Sequence, residues 1–200
     1  GEMADLNERD AKLVQYLSEA FGKEKELETS LEAHIAMTTR APYRNRLKAH
    51  LKETKAHAKA LERRIKKLGG GGQLTQTAVG KAMAAAKGPL HMVRGSGEQE
   101  KMLKNAKTEY FNEHEEIATY LAIETLAEKV RDAETAKLAR AIRREEERMA
   151  TFLQGQIKQL TGAVVREDTP PAQPRAASPK RKPKKAPAKS RPAVKASSKK

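Results

Sequence analysis

Apolar residues recur at steps of three and four along four stretches of the chain, a spacing that places them on one face of an amphipathic helix. The pattern predicts long helices over about residues 4–38, 42–68, 98–129 and 133–160. A shorter helix is predicted near residues 75–87, before Gly88 and Pro89. Aromatic residues make up only 4% of the chain. Long amphipathic helices with few aromatic residues indicate an all-α bundle.

The connections between these helices predict their directions. Proline disfavours the helical conformation in the residue before it, so Ala41-Pro42 ends the first helix at a short turn. A short turn makes consecutive helices antiparallel, and the third and fourth long helices are joined in the same way. Gly69 to Gly72 end the second helix. The link that follows, of about thirty residues, can travel the length of a bundle and lets the second and third long helices run parallel.

Acidic and histidine residues interrupt the apolar faces. In the second helix His50, Glu53 and His57 lie three and four residues apart, so their side chains share one edge of the stripe. The other long helices carry Glu24, Glu113 with Glu116, and Glu145 with Glu146. Buried charges are costly unless something compensates them, and a bound metal ion is one compensation. A polar, water-filled core is the alternative, and either Glu145 or Glu146 can be the residue that points inward.

The chain contains no cysteine, which excludes disulfides and thiolate metal sites. No apolar run approaches the length of a membrane span, and the N-terminal residues lack the apolar core of a signal peptide. We therefore expect a soluble, cytoplasmic protein.

Charge is concentrated at the C-terminus. The net charge is +15, and residues 169–200 hold eleven of the 41 basic residues and none of the 26 acidic ones. Seven of the nine prolines follow residue 162. Such a composition neither continues a helix nor forms a core. The sequence predicts a bundle domain over residues 1–162 and a disordered basic tail over residues 163–200.

A flexible polycation without aromatic residues favours non-specific contact with DNA phosphates, and such binding weakens as salt is raised. The candidate DNA-binding residues are Lys180, Arg181, Lys182, Lys184, Lys185, Lys189, Arg191, Lys195, Lys199 and Lys200. An acidic protein, an anionic lipid surface, RNA or no specific partner are the alternatives.

Four short motifs resemble those of the YciF-type ferritin-like proteins: KEKEL at 23–27, HLKET at 50–54, EHEEIATY at 113–120 and REEE at 144–147. The resemblance covers roughly residues 5–160. It implies a ferritin-like four-helix bundle, often dimeric, with a carboxylate-rich centre for iron or a similar metal and expression under stress. It also implies ligand roles for Glu24, Glu53, Glu113 or Glu116, and Glu146.

The chain departs from the Glu-x-x-His spacing of ferritin-like sites. His57 follows Glu53 by four residues instead of three. Three and four residues after Glu146 come Met149 and Ala150. Among the remaining candidates, Tyr110 and Tyr120 are interpreted either as groups beside the site or as core packing. His34, His91 and His114 are predicted to be surface or edge residues.

Together these features predict a ferritin-like, metal-binding stress protein. The predicted metal ligands are Glu24, Glu53, His57, Glu113, Glu116 and Glu146, and iron or manganese is the expected metal. Oxidation of Fe(II) by peroxide or dioxygen is the expected activity, with DNA bound through the tail at the nucleoid and a homodimer or larger homo-oligomer as the assembly. The alternative is a non-enzymatic, DNA-associated or scaffolding bundle with a degenerate metal site.

Overall fold

The structure, a computed structural model, describes residues 8–85 and 97–168. These residues form five helices: α1 (Glu8–Met37), α2 (Ala41–Lys67), α3 (Gln73–Ala85), α4 (Glu98–Lys129) and α5 (Ala133–Asp168). No strand occurs in the described ranges. The predicted all-α class and the four long helices are therefore confirmed.

The chain divides into a unit of residues 1–164, which holds the bundle, and a unit of residues 165–200. Of the second unit the structure describes only residues 165–168, the last turn of α5. The start of the first predicted helix, His91 and the ten candidate DNA-binding residues lie outside the described residues.

The prediction for the end of the fourth long helix was wrong, because α5 continues beyond Leu160 to Asp168. Gly162 does not end the helix since Ala163, directly after it, is buried and Val164 packs against the apolar core. Burial of these two side chains supports the extra turns, and the next proline comes only at Pro170.

Glycine ends α2 as predicted. Gly69 has a φ of 94°, in the left-handed region that glycine adopts without steric cost. The N–H groups of Gly69 and Gly70 donate to the carbonyl oxygens of Lys66 and Ile65, at 3.0 and 2.9 Å. These bonds satisfy carbonyl groups that the helix end would otherwise leave free.

Contacts between α2 and α4 show that these two helices run parallel. The Tyr43 hydroxyl donates to Glu109 at 2.5 Å, and further along both helices a ring nitrogen of His50 lies 3.0 Å from Glu113. The segment between them, which includes α3, is therefore the predicted long crossover.

A layer of polar side chains separates the two larger apolar clusters of the bundle core, and Leu13, Ala127 and Ala136 form a smaller third cluster. The first cluster contains Val14, Leu17, Ala20, Leu61, Ile65, Tyr120, Ile123, Ala139 and Ile142. The second contains Leu31, Tyr43, Leu47, Met102, Leu103, Ala106, Met149, Leu153 and Leu160. In sequence, each long helix has buried acids or histidines between its contributions to the two clusters: Glu24, His50, His57, Glu113, Glu116 and Glu146. Hydrocarbon on both sides of the layer strengthens electrostatic interactions within it.

The start of α5 is joined to α2 by a network around Asp132. A carboxylate oxygen of Asp132 accepts the backbone N–H of Thr135 at 3.0 Å, which makes Asp132 the N-cap of α5. The Arg64 guanidinium donates to both Asp132 oxygens, at 2.9 and 3.0 Å. Partial burial acts to raise the pKa of Asp132, but the bonds from Thr135 and Arg64 outweigh it and hold the pKa below 3.8.

We expect Asp132→Ala to lower the free energy of unfolding by about 1–3 kcal/mol at neutral pH, since it removes a helix cap and a charge-assisted pair. A carboxylate with a depressed pKa stabilises the fold above its ordinary value, and this stabilisation is lost as the pH falls through the depressed pKa. The difference between wild type and variant should therefore shrink in strong acid. Urea unfolding at several pH values measures it. Asp132→Asn keeps the cap, loses only the charge and should cost less; equal costs for Ala and Asn would contradict the capping role.

No helix within residues 8–85 or 97–168 combines the length and apolarity that crossing a membrane requires.

Candidate metal centre

Buried carboxylates and imidazoles from all four long helices meet in the polar layer. Two groups of three have their ligand atoms within 4.8 Å of one another: the His57 group (Glu24, His57 and Glu146) and the His50 group (His50, Glu113 and Glu146). Every member of both groups is buried. Glu146 belongs to both, so the two groups form one centre.

His50 connects the centre to the protein surface. Its Nε2 lies 3.0 Å from Glu113 and 3.4 Å from Glu146, on the inner side of the ring. Its Nδ1 lies 2.8 Å from Glu53, whose side chain is 29% exposed. Burial acts to lower the pKa of His50, but Glu113, Glu53 and Glu146 outweigh it and raise the pKa to about 10.

His57 is placed in the same way but with the ring nitrogens exchanged. Its Nδ1 faces the centre, 3.4 Å from Glu146 and 3.8 Å from Glu24. Its Nε2 lies 2.6 Å from Glu145, whose side chain is 36% exposed. Burial acts to lower the pKa of His57, and the carboxylates Glu146 and Glu24 raise it to about 11.

Glu116 faces three other acids without a histidine of its own. Burial raises its pKa well above the ordinary value, and the charges of Glu146, Glu24 and Glu113 raise it further. Burial likewise raises the pKa of Glu146. Four carboxylates at this depth repel one another, and cations or protons must neutralise them.

The residues of this centre fit a pair of divalent metal ions. Of twelve buried side-chain atoms without a hydrogen-bond partner in the described part of the chain, six belong to the centre: Glu24 Oε1, His57 Nδ1, Glu113 Oε1, Glu116 Oε2 and both oxygens of Glu146. Unpaired buried polar atoms are costly, and metal coordination would satisfy these six. Four ionised carboxylates also balance the charge of two divalent ions. Helix bundles build two-metal sites from four glutamates and two histidines, which is the donor set present here in a different order along the chain.

The structure brings four of the six predicted ligands into the two groups, Glu24, His57, Glu113 and Glu146, and the fifth, Glu116, faces three of these acids. The sixth, Glu53, lies behind His50 rather than in either group of three. The hydrogen bond from His50 is the largest cause that lowers the pKa of Glu53, so its carboxylate stays ionised.

His50 was missed as a candidate ligand, although the sequence carries a signal for it. Seven residues are nearly two helical turns, so His50 and His57 lie on the same side of α2, whereas Glu53 is rotated away from both. Of the two neighbouring acids of α5, Glu146 is fully buried and Glu145 is at the outer edge.

The other predicted histidines and tyrosines have mixed outcomes. The prediction for His34 was wrong, because it is buried and its Nδ1 bonds Glu109. His114 is exposed as predicted and has its ring against Tyr110, with 4.5 Å between ring centroids. Tyr120 is fully buried and its hydroxyl donates to Glu24 at 2.5 Å, so it packs in the core and also bonds a residue of the centre.

The topology and the centre together define a ferritin-like four-helix bundle with a carboxylate and histidine core. Residues 8–166 match the family described as a domain of unknown function, DUF892, and the chain belongs to this family. No curated protein sequence matches the chain.

Several solved structures share the fold. A protein from Xanthomonas campestris is 24% identical, with a TM-score of 0.65, and the match covers 80% of this chain and 98% of that one. The Escherichia coli stress protein YciF is 19% identical, with a TM-score of 0.59 and coverage of 78% and 99%. A dodecameric thioferritin from Bacteroides fragilis, a bacterioferritin-related protein, is 20% identical, with a TM-score of 0.61 and coverage of 81% and 92%. The resemblance to YciF-type ferritin-like proteins is therefore confirmed.

Proposed function

We propose that this protein binds two divalent metal ions, iron or manganese, between its four long helices and handles iron and peroxide there. The observation that carries the proposal is the convergence of three buried glutamates and two histidines, with a fourth glutamate, Glu116, beside them and six unpaired atoms among these residues. Carboxylate oxygens and imidazole nitrogens suit both metals.

The chemistry follows from this donor set. Fe(II) would enter as a substrate: two ions give up one electron each to one peroxide, which takes up two protons and leaves as two waters. The four carboxylates would stabilise the higher charge of the oxidised ions, since negative charge in a low-dielectric site favours cations strongly. Tyr120 holds Glu24 through its hydroxyl, and the apolar clusters on both sides restrict access of water.

Metal analysis tests the proposal. We expect the protein, purified without chelator and loaded with Fe(II) or Mn(II), to retain about two ions per chain, and to oxidise Fe(II) with peroxide faster than buffer does. A chain that retains no ion and leaves the oxidation rate unchanged would support the alternative, a scaffolding bundle with a degenerate site. Met149 and Ala150, the buried residues where a ferritin-like histidine is expected, are the observation that favours this alternative.

We further propose that the basic residues after Asp168 bind DNA without sequence preference and associate the protein with the nucleoid. The support is charge alone: eleven basic residues and no acidic residue from 169 to 200. Each phosphate that such a segment neutralises releases counterions, so binding should be strong only at low salt.

A chain that ends at Asp168 tests this part. The end is placed there because α5 continues to Asp168 and Val164 packs against the core. We expect the full chain to retard a DNA fragment in a gel at low salt, with retardation lost as salt is raised, and residues 1–168 to leave it free. A full chain with glutamine at the ten candidate basic residues is the length-matched control. Equal retardation by all three proteins would refute the tail's role.

A homo-oligomer is the assembly we propose. A ferritin-like neighbour of the same fold is a dodecamer, and light scattering of the full chain distinguishes a dimer from a larger shell.

A further inference from the structure

The two histidines of the centre each have a half-exposed glutamate on their outer side. Glu53 follows His50 by three residues on α2 and lies 2.8 Å from its Nδ1. Glu145 comes from α5 and lies 2.6 Å from Nε2 of His57. Neither glutamate belongs to the groups whose ligand atoms converge.

An imidazole that binds a metal through one nitrogen carries its proton on the other. A carboxylate that accepts a hydrogen bond from this N–H fixes both the tautomer and the orientation of the ring. Glu53 therefore leaves Nε2 of His50 for the metal, while Glu145 leaves Nδ1 of His57. The two rings present opposite nitrogens to the same centre.

We infer that Glu53 and Glu145 are positioning residues that direct Nε2 of His50 and Nδ1 of His57 at the two metal ions. This inference rests on the proposed metal binding. It assigns the two outer glutamates to different halves of the centre, Glu53 to the His50 group and Glu145 to the His57 group.

The surroundings of the two glutamates support the assignment. Nη1 of Arg46 lies 3.6 Å from Oε1 of Glu53, the same oxygen that His50 contacts, and helps to hold this carboxylate in place. Glu145 has no further ion pair within the described residues, and its bond to His57 joins α5 to α2 beside the centre. Without its carboxylate, each imidazole can turn about the bond to Cβ. Either of its two ring nitrogens could then face the metal.

Cobalt(II) is a suitable probe because its visible absorption reports ligation and its paramagnetism shifts the ring N–H protons of bound histidines. We expect wild type to bind two Co(II) ions and to show two shifted, exchangeable N–H signals. Glu53→Ala should lose the signal of His50 and Glu145→Ala that of His57. In each variant one of the two ions should bind about 10- to 100-fold more weakly, the usual cost of losing such a partner.

Glutamine variants separate positioning from charge. Glu53→Gln and Glu145→Gln keep an oxygen that accepts the hydrogen bond from the ring N–H, so both should retain the N–H signals and most of the affinity. Glu62→Ala on α2 and Glu147→Ala on α5 are controls, since these exposed acids pair with Lys66 and Arg143. Circular dichroism of each metal-free variant checks the fold.

The outcomes distinguish the inference from the proposed function. If wild type binds no Co(II), the metal centre fails and the positioning role fails with it. If wild type binds two ions and both alanine variants keep affinity and signals, the centre stands and the positioning role is overturned. Glutamine variants as weak as the alanine variants would also overturn it, because the carboxylates would then act as ligands or through charge.

Discussion

Glu146→Gln is expected to remove metal binding from both halves of the centre. Glu146 is fully buried and is the one residue shared by the His57 and His50 groups, and its two oxygens lie 3.4 Å from the inner nitrogens of the two rings. The amide has nearly the same shape but carries no charge and only one oxygen. We expect the affinity for both ions to fall at least about 100-fold, the upper end of the cost of losing an outer partner. Titration with Co(II) or Mn(II) measures both affinities.

Two further variants serve as comparisons, one as a control and one that changes a single half of the centre. Glu147→Gln changes the next residue, an exposed acid paired with Arg143, and should leave both affinities unchanged. Glu24→Gln should weaken mainly the ion of the His57 group, because Glu24 belongs to that group alone. Retention of one ion at wild-type affinity in Glu146→Gln would contradict a shared ligand.

Glu116→Gln should have opposite effects on the metal-free and metal-loaded proteins. Without metal, the variant removes a buried acid whose pKa is raised by burial and by three other acids, so it should be more stable than wild type at neutral pH. With metal at about a thousand times its dissociation constant, wild type should gain about 4 kcal/mol per ion. For a chain of this size that is roughly 8–16 °C in Tm per ion, and the variant should lose much of this gain.

Thermal unfolding with and without Mn(II) measures both effects. Glu115→Gln is the matched control, since it changes an exposed acid paired with Lys23 at 3.1 Å and should alter neither Tm. A Glu116→Gln protein that is less stable without metal and fully stabilised by metal would show that Glu116 serves packing only.

Much of the fold follows from local patterns in the sequence. Steps of three and four residues defined α1, α2, α4 and α5, and Pro42 and Gly69 marked the ends of helices. The wrong end of α5 has a tertiary cause, because contacts of Ala163 and Val164 with the bundle outweigh the glycine before them.

The candidate site was only partly predictable. His50, Glu53 and His57 all lie near the edge of one stripe, and a small rotation of α2 about its axis decides which of them face the centre. Leu47, Leu61 and Ile65 set that rotation by packing into two clusters that contain residues from all four long helices. Glu145 beside His57 is a contact between residues 88 positions apart, which no local pattern contains.

The sequence by itself determined the helices other than the end of α5, the long crossover and the supply of acids and histidines, because each depends on the spacing of nearby residues. The tertiary structure decided which of these side chains share one buried point, which ring nitrogen faces it, and which acids remain at its outer edge. Those properties depend on the rotation and register of four helices at once, and these are set by apolar packing between residues far apart in the chain.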